Sequence, residues 1–454
     1  VTSSPSRPQQ KGTAMRYDLI IRNGTCILPW GEVKTDVGVI SGRIASIDVP
    51  GSAEAAEVID AQGLHVLPGL IDAHVHLRDP GDPTVESIPT GTKAAALGGI
   101  ATVFDMPNTN PAVTDVEMLR WKQEYASRES YTDFAFYIGA TRENTKDLGE
   151  FELFDGVCGV KVFAGSSTGN LMIEDDDGIE AVLRQGHRRV SFHSEDEYRL
   201  RARKTQFGQT GMPCCNHSIW RDPECAFLGT RRITALSVKT GRPVHILHTS
   251  TEEEFKFLQS YRHLVTTEVL ANHLTQIAPE CYDALGNFAV MNPPIREERH
   301  FEAAWQALRD GMVDVVSSDH APHSREAKAK PWPECPSGMT GVQTLAPIML
   351  DHVNAGRLSL SRLVDVMAAG PARVYGLMAK GRLTVGYDAD FTLVDMKAER
   401  RITNDWIATP AGWSPFDGKE VKGWPVATIV RGHIVMREDT ILGEPLGQLS
   451  RFLP

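Results

Sequence analysis

Residues 72–81 read DAHVHLRDPG, with two histidines one residue apart and an arginine two residues further on. Side chains at i and i+2 of a strand point to the same face, so His74 and His76 can present two imidazoles to one metal ion. Alone the pair is weak, because H-x-H also arises from hydrogen-bonded or exposed histidines. It gains force from His193, His248 and Asp319, which lie at the ends of other apolar, strand-like runs. Four imidazoles and one carboxylate exceed what a single tetrahedral zinc with an open position requires, so the set predicts two divalent metal ions, zinc being the expected one. Two such cations need a bridging anion. Lys161, in GVKVF, can supply one: a deprotonated lysine reacts with CO2 to form a carbamate, and burial beside metal charge favours losing the ammonium proton. Taken alone, Lys161 is equally well read as a surface lysine with its stem along apolar neighbours, and Arg78 as half of a surface ion pair.

These residues need strands to position them. Between about residues 69 and 375, apolar runs alternate with longer amphipathic stretches. The runs are 70–75, 100–106, 134–140, 159–164, 189–194, 243–250, 264–270 and 313–320. Eight strands, each followed by a helix-like stretch or a loop, predict an α/β fold, a parallel (β/α)8 TIM barrel. A doubly wound open sheet is the alternative, weakened by the lack of a G-x-G-x-x-G turn after an early strand. In a barrel the reactive side chains belong at C-terminal strand ends, and the candidate residues fall there. Both chain ends are rich in short β runs broken by Gly and Asn, which predicts a small β-sandwich built from 15–68 and 376–454 around the 69–375 barrel. Residues 1–14 are polar and aperiodic and read as a disordered leader.

Composition excludes several classes. The 454 residues carry a formal net charge of −11 without a Lys/Arg-rich block, which argues against nucleic acid as a partner. No apolar run approaches a membrane span, and the expected location is cytoplasmic. Seven scattered cysteines fit reduced thiols. CCNHSIWRDPEC (214–225) lacks a second ligand pair at finger spacing and reads as structural.

With these motifs in place, the chain resembles dihydroorotases of the long, metal-dependent type within the amidohydrolase superfamily. The resemblance runs from about Tyr17 to the C-terminus. It is carried by DAHVHLRDPG, IPTGTKAAALGGIATVFDMPNTNPA, GVKVFAGSSTGN, FHSED, HILHTST, MNPPIR and SSDHAPHSREAK, in that order. It implies metal ligation by His74, His76, carboxylated Lys161, His193, His248 and Asp319. It also implies that Arg78 and Asn108 hold a substrate carboxylate and that Asn292 and His323 complete the pocket; Arg suits a carboxylate through its planar fork. The implied reaction is the reversible cyclisation of N-carbamoyl-L-aspartate to L-dihydroorotate. In the hydrolytic direction a metal-bridging hydroxide attacks, with Asp319 as general base and then acid. Implied partners are the small-molecule substrate, a second copy in a dimer, and aspartate transcarbamoylase.

The chain departs from the family's usual wording at Ser317 and at TTEVLANHL (266–274), where Asn272 replaces a histidine. Allantoinases, hydantoinases and dihydropyrimidinases share the metal pattern, but generally lack an arginine two residues after the second histidine. A non-catalytic dihydroorotase-like partner of the transcarbamoylase is a further alternative, expected to have lost ligands that this chain keeps. The polar, Pro- and Gly-bearing segment 323–343 reads as an active-site loop that closes over substrate.

Overall fold

The computed structural model describes residues 16–165 and 171–454, so the expected leader lies outside the described residues. Eight parallel strands form the central sheet: Leu70–Val75, Ile100–Asp105, Asp133–Gly139, Val157–Phe163, Val190–His193, Val244–Ile246, Val265–Leu270 and Val315–Ser317. They are the eight apolar runs of the sequence, in order. Being covered on both sides, they carry apolar residues on both faces rather than alternating with polar ones. In the third strand Phe134, Phe136 and Ile138 pack outward against the helices, while Ala135 and Tyr137 fill the interior. The fifth strand sends Val190 and Phe192 outward, which leaves His193 to face the mouth.

The sheet closes at one end only. The first and eighth strands meet through a parallel bridge between Val75 and His320, with His76 N–H donating to His320 O at 2.7 Å.

Local signals set the helices around the barrel. Pro223–Thr240 begins at Asp222, whose carboxylate accepts from Cys225 N–H, has Pro at its first position, and stops at Gly241 in the left-handed region (φ 74°). Ile88–Leu97 starts with a reciprocal Ser87/Thr90 capping box.

Two further sheets flank the barrel. One has four strands, Arg43–Ile47, Val37–Ile40, Tyr17–Arg22 and Ala55–Asp60. The other has seven and mixes both chain ends, placing His65–Pro68 against Phe391–Arg401. Leu19, Ile21, Val39, Val66, Phe391 and Ile429 share one core between them. The C-terminal portion is not confined to these sheets. Residues 448–452 return to the barrel, where Leu449 bridges Phe134 and Phe452 packs edge-on against Phe104. This return is not legible in the sequence, because a few apolar residues in a short stretch have no period. Among the described residues no helix is long and apolar enough to cross a membrane.

Candidate active site

The C-terminal strand ends open into a cavity of about 320 Å³. Among its lining residues are His74, His76, Arg78, Asn108, Lys161, His193, His248, Asn292, Asp319 and His323. All ten residues singled out in the sequence are thus brought together, from seven of the eight strands and the loops after them. A larger recess of about 460 Å³ beside Trp30 and Val364 carries Asp365 and Arg382 but no converging imidazoles.

Tight backbone turns aim several of these side chains. Arg78, His248 and Asp319 have φ of 56°, 38° and 47°, a region that costs a non-glycine residue about 1 to 3 kcal/mol. Buried acids hold the turns. Asp105 accepts from Leu77 N–H at 2.8 Å, Glu268 from His248 N–H at 3.1 Å, and Asp72 from Ser318 N–H at 3.1 Å. Glu86 bonds His320 Nε2 at 2.8 Å, and His320 Nδ1 accepts from Gly341 N–H at 3.0 Å.

The imidazoles are oriented through their far nitrogens. His74 Nδ1 donates to Glu268 Oε1 at 2.8 Å, and His76 Nδ1 to Asn108 Oδ1 at 2.7 Å. Both partners only accept, so each ring turns Nε2 toward Asp319 Oδ1, at 3.3 and 3.1 Å. Burial pulls His76 down to about 4, so at neutral pH its Nε2 presents a lone pair to a carboxylate oxygen. A cation held among the three groups removes that repulsion. The ligand atoms of His74, His76 and Asp319 lie within 4.8 Å of one another, and the donor set fits a divalent ion. Against the cost of burial, the charge of His74 holds Asp319 well below the usual carboxylate range.

The opposite side of the cavity repeats the arrangement. His193 Nε2 bonds Glu195 Oε2 at 2.9 Å, and Glu195 is itself paired with buried Arg221. That leaves His193 Nδ1 for ligation. The His193 and His248 ring centroids are 4.6 Å apart, and His248 Nδ1 is buried with no hydrogen-bond partner among the described residues. Lys161 is 1% exposed, which rules out the surface reading; burial outweighs the attraction of Asp319 and Glu268 and pulls its ammonium down to about 7.

At the mouth, Arg78 Nε donates to Pro322 O at 3.3 Å. His323 Nε2 donates to Ser337 O at 3.0 Å, so it carries the ring proton there and cannot accept from Arg78 Nη2, 3.4 Å away. Asn292 Oδ1 accepts from His217 Nε2 at 3.0 Å. The 323–343 segment reaches the cavity through Pro336, Ser337 and Gly338. It is anchored rather than free: Trp332 and Cys335 are buried in a core with Trp413.

Sequence reasoning missed Glu268, Glu195, Arg221 and Glu86. The available signal was an acid inside an apolar parallel strand, as Glu268 is in VTTEVL. In the CCNHSIWRDPEC segment both ring nitrogens of His217 are taken, Nε2 by Met291 O at 2.9 Å and Nδ1 by Trp332 Nε1 at 3.3 Å. A second acidic cluster, Asp133, Asp388 and Asp390, surrounds the Lys380 ammonium, which fills the place a cation would take.

Known proteins agree with this geometry. The amidohydrolase family matches residues 65–435. The dihydroorotase of Methanosarcina mazei is 34% identical over 96% of this chain and 95% of its own length, and that of Halobacterium salinarum 37% over 90% and 97%. Among solved structures, the L-hydantoinase (dihydropyrimidinase) of Arthrobacter aurescens superposes with a TM-score of 0.91 at 28% identity, covering 96% of this chain and all of that one. The dihydropyrimidinase of Brevibacillus agri gives 0.88 at 27%, over 96% and 99%. A barrel with this mouth, matched by these relatives along nearly its whole length, makes the chain a member of the amidohydrolase family whose curated relatives are dihydroorotases.

Proposed function

We propose that the protein catalyses the reversible ring closure of N-carbamoyl-L-aspartate to L-dihydroorotate. The observation that carries this reading is Arg78, which lines the imidazole-lined cavity at its mouth with a guanidinium held by Pro322 O and suited in shape and charge to a ring carboxylate. A pocket for an uncharged hydantoin has no use for that half-buried cation, which loses part of its hydration unless a ligand anion repays it.

Two divalent ions, zinc in this reading, held by His74, His76, Lys161, His193, His248 and Asp319, would polarise the ring amide carbonyl and acidify a water. Lys161 joins that set as its carbamate. Its buried amine has no carboxylate within 4 Å among the described residues, and burial outweighs the attraction of Asp319 and Glu268 for the ammonium. Arg78 grips the substrate carboxylate, with the Asn108 side-chain NH2 beside it, since Asn108 Oδ1 is committed to His76. Asn292 and His323 line the far side and orient the ring. In the hydrolytic direction Asp319, held ionised, accepts the water proton and passes it to the ring nitrogen as the C–N bond breaks. In the cyclising direction the carbamoyl nitrogen attacks and the same proton returns to the departing water.

A purely structural role would tolerate loss of the ligand set, yet all six side chains line one cavity. Dimer formation and association with aspartate transcarbamoylase belong to the same reading and are tested by sedimentation alone and with that enzyme.

The deciding experiment measures turnover of L-dihydroorotate, allantoin and a 5-substituted hydantoin by the zinc-loaded protein, with metal counted on the same sample. Preference for dihydroorotate supports the reading. Preference for an uncharged ring overturns it and favours the hydantoinase activity named for the structural neighbours.

A further inference from the structure

We propose that Lys328 is a positioning residue that ties together two walls of the substrate pocket, and that its ammonium, caged by main-chain carbonyls, sets how tightly the pocket holds its ligand. The proposal rests on the cyclic-amide reading above.

Lys328 ends the single turn Arg325–Lys328, which starts from Ser324, whose hydroxyl accepts from Ala327 N–H at 3.1 Å. Its side chain is fully buried. A buried lysine normally has an acid beside it, yet no carboxylate lies within 4 Å of this one among the described residues. Instead Nζ donates to Val290 O at 2.9 Å, Pro336 O at 3.0 Å and Gly338 O at 3.1 Å, using all three of its protons.

Those carbonyls belong to two segments that reach the cavity wall around Asn292 and His323. Val290 lies two residues before Asn292, and Pro336 and Gly338 themselves line the cavity. Between the two carbonyls bonded to Lys328, Ser337 O faces the other way and takes the proton of His323 Nε2 at 3.0 Å. One ammonium thus fixes the alternation that orients His323. Gly338 adds to the constraint. It has φ 144°, and a Cβ there would fall 2.4 Å from Ala321 O and 3.0 Å from His323 Nε2, so the strand lies hard against the strand-eight loop. Trp413 closes the far side, its ring 5.8 Å from Nζ and its Nε1 donating to His323 O at 2.7 Å.

The cage has a pH signature. An ammonium satisfies three carbonyls, whereas a neutral amine satisfies two and turns a lone pair on the third. Burial pulls Lys328 down to about 8. The other ionisable groups facing it are Cys335 and Cys214, both pushed upward by burial, and His323, pulled down to about 3 by burial and by Arg78. Lys328 is therefore the member of this group that titrates just above neutrality.

The test compares the wild type with Lys328→Met and Lys328→Arg, as full-length zinc-loaded protein, on whichever cyclic amide the wild type opens fastest. In Lys328→Met, KM is expected to rise about tenfold or more while kcat stays within about threefold and metal content is unchanged. Wild-type KM rises above about pH 8. That limb is absent from both variants, because neither methionine nor arginine titrates there. An unchanged KM in Lys328→Met, a loss confined to kcat or metal, or a wild-type KM flat to about pH 9.5 overturns the proposal. Hydrogen exchange of residues 333–340, read without substrate, rises in Lys328→Met; unchanged exchange overturns the proposal independently of any activity. A wild type that prefers hydantoin refutes the substrate assignment alone, since the same comparison then runs on hydantoin.

Discussion

Replacing Arg78 by methionine keeps the length of the side chain and removes its fork. Arg78 Nε is held by Pro322 O at 3.3 Å and the backbone sits at φ 56°, so the guanidinium is oriented before substrate arrives and little rotamer entropy is lost on binding. Two N–H···O⁻ bonds to a carboxylate, each worth about 1.5 kcal/mol at a mouth open to water, give about 3 kcal/mol. That corresponds to about a 150-fold loss in kcat/KM for dihydroorotate. The carboxylate is gripped alike in ground state and transition state, so the loss falls on KM and leaves kcat nearly unchanged. A hydantoin without the carboxylate should lose less than about threefold, because the metal ligands are untouched. Arg78→Lys restores charge without the planar fork and should recover about half of the lost free energy. The assay is steady-state ring opening of both substrates by the three proteins at matched metal content. Equal losses on both substrates would refute the clamp and make Arg78 a structural support of the metal loop.

Lys161→Ala should lose metal and activity together; unchanged metal content would remove the bridge. In metal-free protein given zinc at constant dissolved CO2, reactivation should speed up as pH rises through about 7, because the amine must be neutral to take up CO2 and burial has lowered it to that range; a rate independent of pH would refute the carbamate. Glu268→Gln keeps an acceptor for His74 Nδ1 but removes the charge that makes the ring a stronger ligand, so chelator competition should show metal held about 10- to 100-fold more weakly. Lys380 sits 2.6 Å from Asp133 Oδ2 and 3.2 Å from Asp388 Oδ2. Lys380→Met leaves Asp390 without its cation, while Asp133 keeps Arg431 and Asp388 keeps Arg43, and should cost about 3 kcal/mol near pH 7 by denaturant titration. That cost should shrink as pH falls into the carboxylate range, since protonating the abandoned acid removes the penalty; a cost independent of pH would place the effect in packing instead.

The barrel was legible because parallel strands covered on both faces leave continuous apolar runs, and all eight are visible between residues 70 and 320. The site was legible because its ligands end those runs: His193 is the last residue of its strand, and Asp319 lies two beyond the eighth. Glu268 was not, because it works across a sheet, and Glu195, only two residues from His193, stands as one more acid in FHSED. Glu268 meets His74 only when the seventh strand lies near the first, 194 residues away in sequence. Lys328 is hidden for the same reason. In HSREAK it reads as one charge in a polar loop, and only the carbonyls of two distant segments make it a buried cation. The 323–343 segment read as a loop that closes over substrate because its anchors, Trp332 and Cys335, are single apolar residues without a period.

The closing of the sheet on itself gives the cavity a second meaning. Seven strand-to-strand junctions are ladders, whereas the first and eighth strands share no ladder and are joined by the Val75–His320 bridge and the hydrogen bonds of Ser318 to Asp72. His74 and His76 stand on one side of that seam and Asp319 on the other. A metal shared by the three is therefore a rivet across the weakest joint of the barrel, and filling the cavity and sealing the cylinder become the same event. Stripping the metal should let amides at 75–77 and 318–320 exchange before those of any other barrel strand, so the enzyme would lose its roundness where it loses its chemistry.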